Sequence, residues 1–434
     1  DINKKVDILA DNNSSQEAYA TGVGAGAAAA GANYARAESR TITAAAAGKI
    51  FTVEDEDSVG GRVLEVDGSG LNMRLGSRSY NSSLSIKAEG NTANYAESIS
   101  GSGGVISGAA ASAKTINDNL ALAEVGRGAV IGRDAAQGTG GSEPDLINID
   151  DSEDILAFEG KNNLNNIIKL KAVDILAEQN TVFDSSANSV QAAVAGMSGA
   201  ESLNIINSAA EANLGDGAAL YTSESYTSPS YIKIKANNII EQAGSSSSNA
   251  KASAGGVING SAAESKIFVT QDASVNLGEN SMLFNYGSIS NTENEVQINV
   301  FNSLNINNEA VLSTGGAVES PYAETVLKAG DDTRSEDDKE YSSDGSHYLK
   351  ARVNIADSSR IISSGGLDIG AYTQADGSNR SLVKTYGGVG FAGGKSLSFL
   401  DSSQKINIED NVYIMAYNDI NLRTEQKGDG SVFS

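Results

Sequence analysis

The chain has no cysteine and no tryptophan, and only three prolines and one histidine among its 434 residues. Without cysteine there are no disulfides, thiolate metal sites or thiol nucleophiles. The single histidine, His347, lies in a polar stretch and leaves neither a His-based metal site nor a Ser-His-Asp arrangement with a distinctive signature. Aromatic residues are 6% of the chain, too few for one large core built around Phe and Trp. Positive charge is scarce as well: 31 Lys and Arg stand against 55 Asp and Glu, a formal charge of -24. Nucleic acid and anionic membranes both require clustered cations, so neither is expected as a principal partner. Solubility is the ordinary reason for such an acidic balance, with bound cations or basic partner surfaces as the alternative. The most apolar glycine-alanine run, near residues 21–32, is too short and too weakly hydrophobic to span a bilayer. Residue 1 is Asp and no charged-then-apolar leader follows it, so the sequence reads as a segment of a longer protein.

What the chain does contain is glycine (47 residues), much Ala, Ser and Asn, and repetition. Residues 103–131 read GGVISGAAASAKTINDNLALAEVGRGAVI, and residues 255–283 read GGVINGSAAESKIFVTQDASVNLGENSML. Aligned without a gap, they share Gly-Gly-Val-Ile, then Gly108/Gly260, Ala110/Ala262, Ala111/Ala263, Lys114/Lys266, Ala121/Ala273 and Gly126/Gly278. A second motif recurs as LSIKA from Leu84, IKLKA from Ile168, IKIKA from Ile232 and LDIGA from Leu367, with weaker relatives LNINN from Leu304 and INLRT from Ile420. Self-similarity on this scale is the mark of a repeat architecture.

Within the repeats, apolar residues alternate with polar ones, as in Ile232/Ile234, Val296/Ile298/Val300 and Val353/Ile355. That period of two belongs to strands with one face buried. The strands read as short, separated by turn-forming clusters such as NNEAVLSTGG and SSRIISSGG. The best helix candidate, GAGAAAAGANYARAESRTITAAAAG, carries too much Gly, and its Thr-Ile-Thr argues against helix. The expected fold is all-β: a right-handed parallel β-helix, or β-solenoid, with protruding loops, in which small residues let sheets approach closely. With about 20 to 25 residues per coil and ~4.8 Å between coils, the chain would form a rod on the order of 80–100 Å long. Residues 1–434 read as a single solenoid segment, with degenerate repeats over 80–430 and a poorly matched start over 1–80. A string of β-sandwiches ranks second, because several aromatic cores and Pro-bounded linkers are missing.

The runs SGGVISGAAASAK, AGGVINGSAAESK and LSIKAEGNTANYAES resemble the large filamentous adhesins secreted by the two-partner route. They are most similar to the leukotoxin-type filamentous adhesins of Gram-negative anaerobes. The resemblance covers much of residues 80–430. It implies an exported, extended right-handed β-helix, secreted or held at the bacterial cell surface. It further implies contact with a host-cell protein or glycan, leukocyte toxicity, and an outer-membrane secretion partner for the parent protein. The Asn-Pro motifs of the family's secretion module do not occur in this chain, so the segment reads as shaft or body. No toxin-specific residue carries over.

Two loops are candidate contact surfaces. One is the charge cluster from Lys328 to His347, with Asp331, Asp332, Glu336, Asp337, Asp338 and Glu340. Insertions in solenoids map to surface loops. These carboxylates, like those of NIDDSED from Asn148, are oxygen ligands of the kind Ca2+ takes, but the spacing of a calcium loop is absent. The other is the Ser-rich stretch holding Tyr221, Tyr226 and Tyr231, a composition suited to protein or glycan contact. No cofactor, catalytic residue or membrane insertion is expected. The alternative function is a carbohydrate-active β-helix enzyme, a lyase or hydrolase, which needs carboxylates gathered on one face. Sequence does not show which carboxylates share a face.

Overall fold

A computed structural model describes residues 5–54, 62–69, 71–73, 82–132, 170–223, 229–244, 249–287, 293–330 and 349–427. These residues are all-β and contain no helix. Fifteen strands form one sheet and six form a second, and both are parallel throughout. The antiparallel exception is the hairpin of Lys49–Glu54 with Arg62–Asp67.

The longest strands, Ser82–Val125 and Leu170–Leu214, each double back on themselves. Ser198 Oγ donates to Ser189 O at 3.1 Å and Ser202 Oγ to Ser185 O at 3.0 Å, so residues 170–192 face residues 195–214 as two arms. Elsewhere the fold-back separates two strands: Lys5–Ala25 from Ala28–Ala47, Ala250–Gly255 from Ile258–Leu277, and Glu295–Gly315 from Val318–Ala329. A short third side follows the second arm, at Val130–Ile131, Ala219–Ser223, Met282–Tyr286, Arg360–Ser363 and Tyr413–Ala416. Each pass of the chain pairs with the pass before and the pass after it.

This register explains the long repeat. Ile106 lies beside Ala195 and Ala195 beside Ile258; likewise Lys114, Leu203 and Lys266 stack, as do Ala121, Ala210 and Ala273. The two similar stretches are therefore two passes apart, in register, with residues 195–214 between them. The five-residue motif behaves in the same way, with two changes of membership. Leu84, Val173, Ile232, Val296, Leu367 and Ile420 form one ladder, so VDILA from Val173 takes the place expected of IKLKA, and VQINV from Val296 that of LNINN. Val6-Asp7-Ile8-Leu9-Ala10 sits in the same ladder through Val6 beside Leu84.

The coil length expected from sequence is too small. Hydrogen bonds between neighbouring passes join residues 78, 89, 63, 71 and 53 apart. An arm of twenty residues spans roughly 65 Å, while the six full passes stack to only about 25–30 Å. The described residues thus make a broad slab and not a thin rod.

The core varies along the arms. Near the third side it is wide, and Ile86, Ile175, Ile234, Ile298 and Ile369 are fully buried against Val125, Leu214, Leu277 and Ile355. Near the fold-back the arms meet across Ala113, Ala187, Ala252, Ala263, Ala310 and Ala323, where larger side chains would hold them apart. Between these zones the interior is partly polar. Asn94 Nδ2 donates to Ile116 O at 2.8 Å, Asn238 Nδ2 to Ser208 O at 2.7 Å, and Asn308 Nδ2 to Val326 O at 3.0 Å. Each amide bridges the two arms and satisfies a buried carbonyl. The Asn-rich stretch NNEAVLSTGG, expected as a turn, is therefore mostly strand interior.

Candidate functional site: the folded edge and its neighbouring face

Where the two arms fold over, each pass carries a short segment of the same kind. AGAA from Ala25, GGVI from Gly103, AAVA from Ala192, GGVI from Gly255 and GGAV from Gly315 stack in register, and GGV from Gly387 follows one residue later in the strip. The second residue of three of these segments, Gly104, Gly256 and Gly316, meets the backbone of the preceding pass. A Cβ on Gly104 would fall 1.9 Å from Gly26 O, and one on Gly256 would fall 1.7 Å from Ala193 O. Glycine is needed at these points because a carbonyl already occupies the space of its side chain.

The residues that follow point outward and are apolar. Val105, Ile106, Val194, Val257, Ile258, Val318 and Val389 are exposed along the edge, with Met197 at 71% and Phe391 at 75% just beyond them. Strand spacing and the two-residue period make this strip and its neighbouring rows a patch of roughly 500–700 Å2, at or above the size that marks contact surfaces on soluble proteins.

Beside the strip, on the outer face of the second arm, lies a shallow groove of about 540 Å3. Its floor is the row Ala32, Ala110, Gly199 and Ala262, continued by Tyr322. Its bank is the row Tyr34, Ser112, Glu201 and Glu264, which Glu324 and Lys395 continue beyond it. Ser112 Oγ donates to Glu201 at 3.2 Å, Lys266 pairs with Glu264 at 2.7 Å, and Glu324 is held by Lys395 at 2.7 Å and by the Tyr322 hydroxyl at 3.0 Å.

No family model, no curated protein and no solved structure matches the chain.

The candidate tyrosines fall differently from the sequence reading. Tyr221 lies in Ala219–Ser223 and is buried against Phe284, their ring centroids 6.0 Å apart, so it is a packing residue and not part of an exposed loop. Tyr231 opens Tyr231–Gln242 and carries Lys233 Nζ 4.8 Å from its ring centroid; burial and the nearby Asp174 raise its hydroxyl above the usual range. Tyr226, Asp331, Asp332, Glu336, Asp337, Asp338, Glu340, His347 and the NIDDSED stretch lie outside the described residues. Among the described residues no group of three or more His, Asp or Glu could hold a metal ion. The edge strip was present in the sequence as Gly-Gly-Val-Ile, where the glycines drew attention and the outward Val and Ile did not.

A second electrostatic feature crosses the far end of the second arm. Asn407 Nδ2 donates to Asn354 at 2.7 Å, Asn354 to Asn276 at 2.7 Å, and Asn276 to Asn213 at 2.8 Å. Asn213 Nδ2 in turn reaches Glu124 Oε2 at 3.5 Å. All four donate in one direction, so the amides polarise one another toward the carboxylate. Burial nevertheless pushes Glu124 up to about 7, against the help of Asn213. Burial also raises Glu211 and Asp272, with Arg352 pulling both back. The folded state of such an acid holds its proton more tightly than the unfolded chain. The cost of its ionisation is therefore absent near pH 4.5, grows as pH rises, and is complete above about pH 7. Glu124→Gln keeps the acceptor for Asn213 and removes the charge. The variant should match the parent at pH 4.5 and exceed it at pH 8 by on the order of 2–3 kcal/mol in urea unfolding. Equal stability of the two at pH 8 would show that Glu124 is well solvated.

Proposed function

We propose that the chain is a β-solenoid segment of an exported, adhesin-like filament and that its folded edge contacts the host-cell surface. The single observation carrying this reading is the exposed Val/Ile strip, repeated in register on successive passes at a position where solubility favours polar residues. Two further features support it. Pass-on-pass parallel pairing is what a solenoid of right-handed coils requires, and the edge strip is built by the same Gly-Gly-Val-Ile runs that resemble filamentous adhesins.

The test is binding of the labelled fragment to leukocytes and epithelial cells, with heat-denatured fragment as control. Saturable binding is expected, and a variant with both Ile106→Asp and Ile258→Asp should lose at least tenfold in affinity while keeping its circular dichroism. These side chains are exposed, so the substitutions place no charge in the core. Binding that ignores both substitutions would move the contact off the edge. A folded fragment that binds neither cell type would make the segment a spacer.

A further inference from the structure

We infer that the groove at Tyr34, with the row that continues its floor to Tyr322, binds a neutral oligosaccharide. The inference rests on the contact-face reading above and names a ligand class for one part of that face. Tyr34, 55% exposed, lines the groove at one end, and Tyr322, 43% exposed, lies beyond the other, on the strand next to Ala262. Aromatic faces of this kind take up the C–H faces of sugar rings, and the hydroxyl at the ring edge stays wet. Between them Ala110, Gly199 and Ala262 leave a floor on which a ring can lie flat; Gly199 has open space where a side chain would be. Four strand spacings separate the tyrosine-bearing passes, about 19 Å, the length of roughly four pyranose rings.

The polar bank selects within this geometry. Glu264 and Glu324 are each neutralised by a lysine, yet carboxylates keep spare acceptor sites for hydroxyl donors. A polycation would have to displace Lys266 and Lys395, and a polyanion would meet Glu201 and a chain of formal charge -24. An extended peptide finds no free backbone here, because the strand beneath the floor is paired on both sides from Ala110 to Ala262. Hydroxyl-rich neutral chains remain.

The experiment uses the folded 434-residue chain and calorimetric titration with cellohexaose, maltohexaose and chitohexaose, with a heparin hexasaccharide and an oligolysine peptide alongside. At least one neutral hexasaccharide should bind, and combined Tyr34→Ala and Tyr322→Ala should weaken it at least tenfold. Tyr34→Phe with Tyr322→Phe should keep most of the affinity, as stacking requires. Tyr386→Ala, at the edge but outside the groove, should leave it unchanged. Failure of all three neutral sugars at millimolar concentration would overturn the inference, as would affinity unchanged by the alanine pair or binding of heparin or oligolysine that the alanine pair abolishes. Cell binding read on the same variants separates the two proposals. Loss of cell binding with the edge aspartates but no sugar binding leaves the contact face standing and removes the glycan.

Discussion

Gly256→Ala is expected to lower the unfolding free energy by roughly 4 kcal/mol or more, while Gly255→Ala, one residue earlier, should change it by less than about 0.5 kcal/mol. The two glycines are adjacent in one Gly-Gly-Val-Ile motif, yet their surroundings differ. A Cβ on Gly256 would lie 1.7 Å from Ala193 O, with φ at 155°, whereas nothing lies within 4 Å of a Cβ on Gly255. No rotamer relieves a clash with a backbone carbonyl. Relief requires the fold-back of one pass to move away from its neighbour, which breaks the hydrogen bond from Val257 N to Val194 O at 2.9 Å. Urea midpoints of the two variants decide the matter. Equal effects would mean that the motif needs glycine for chain flexibility and not for close approach.

Ile234→Ala should cost about 3–4 kcal/mol, a full buried truncation whose cavity cannot close. Ile234 is fully buried, paired with Ile175 on one side and Ile298 on the other, and each neighbour is held by its own pass. Collapse into the hole would require three strands to shift together. Leu422 occupies the same ladder beside Ile369, but it lies in the last described strand and is 48% exposed. Leu422→Ala should therefore cost below about 1 kcal/mol. Thermal melts of the two variants give the contrast. A similar loss at both positions would mean that the ladder position, and not burial between two passes, sets the cost.

Strand content and parallel repetition were legible in the sequence because the two determinants act locally. Period-two alternation survives in Ile232/Ile234 and Val353/Ile355, and the gapless match of residues 103–131 with 255–283 is the stacking register two passes apart. The pass between them was hidden because it carries Ala192-Ala193-Val194-Ala195, with no glycine, at the same register. VDILA occurs identically at Val6 and Val173 and marks the ladder more faithfully than IKLKA. Coil length was misjudged for a physical reason. In a core this thin, Asn and Ser bridge the two arms, so a residue such as Asn308, which accepts from Ser265 Oγ at 2.5 Å inside the slab, reads as a turn former. Of the candidate site, the tyrosine composition pointed to Tyr221, which is packed inside, and passed over Tyr34 and Tyr322. Those two come to lie at the groove and on the row that continues it only through pairing between passes, a relation no local window contains.

Pairing confined to neighbouring passes also sets the order in which the molecule can be built. Among the described residues, apart from the local hairpin, every sheet contact joins a pass to the one before or after it, and none joins the two ends of the slab. A finished pass offers an open row of amides and carbonyls as template for the next, so growth can proceed from whichever end is free. A chain threaded through a narrow opening could lay itself down one pass at a time, each deposition drawing the next length of chain forward and hindering its return.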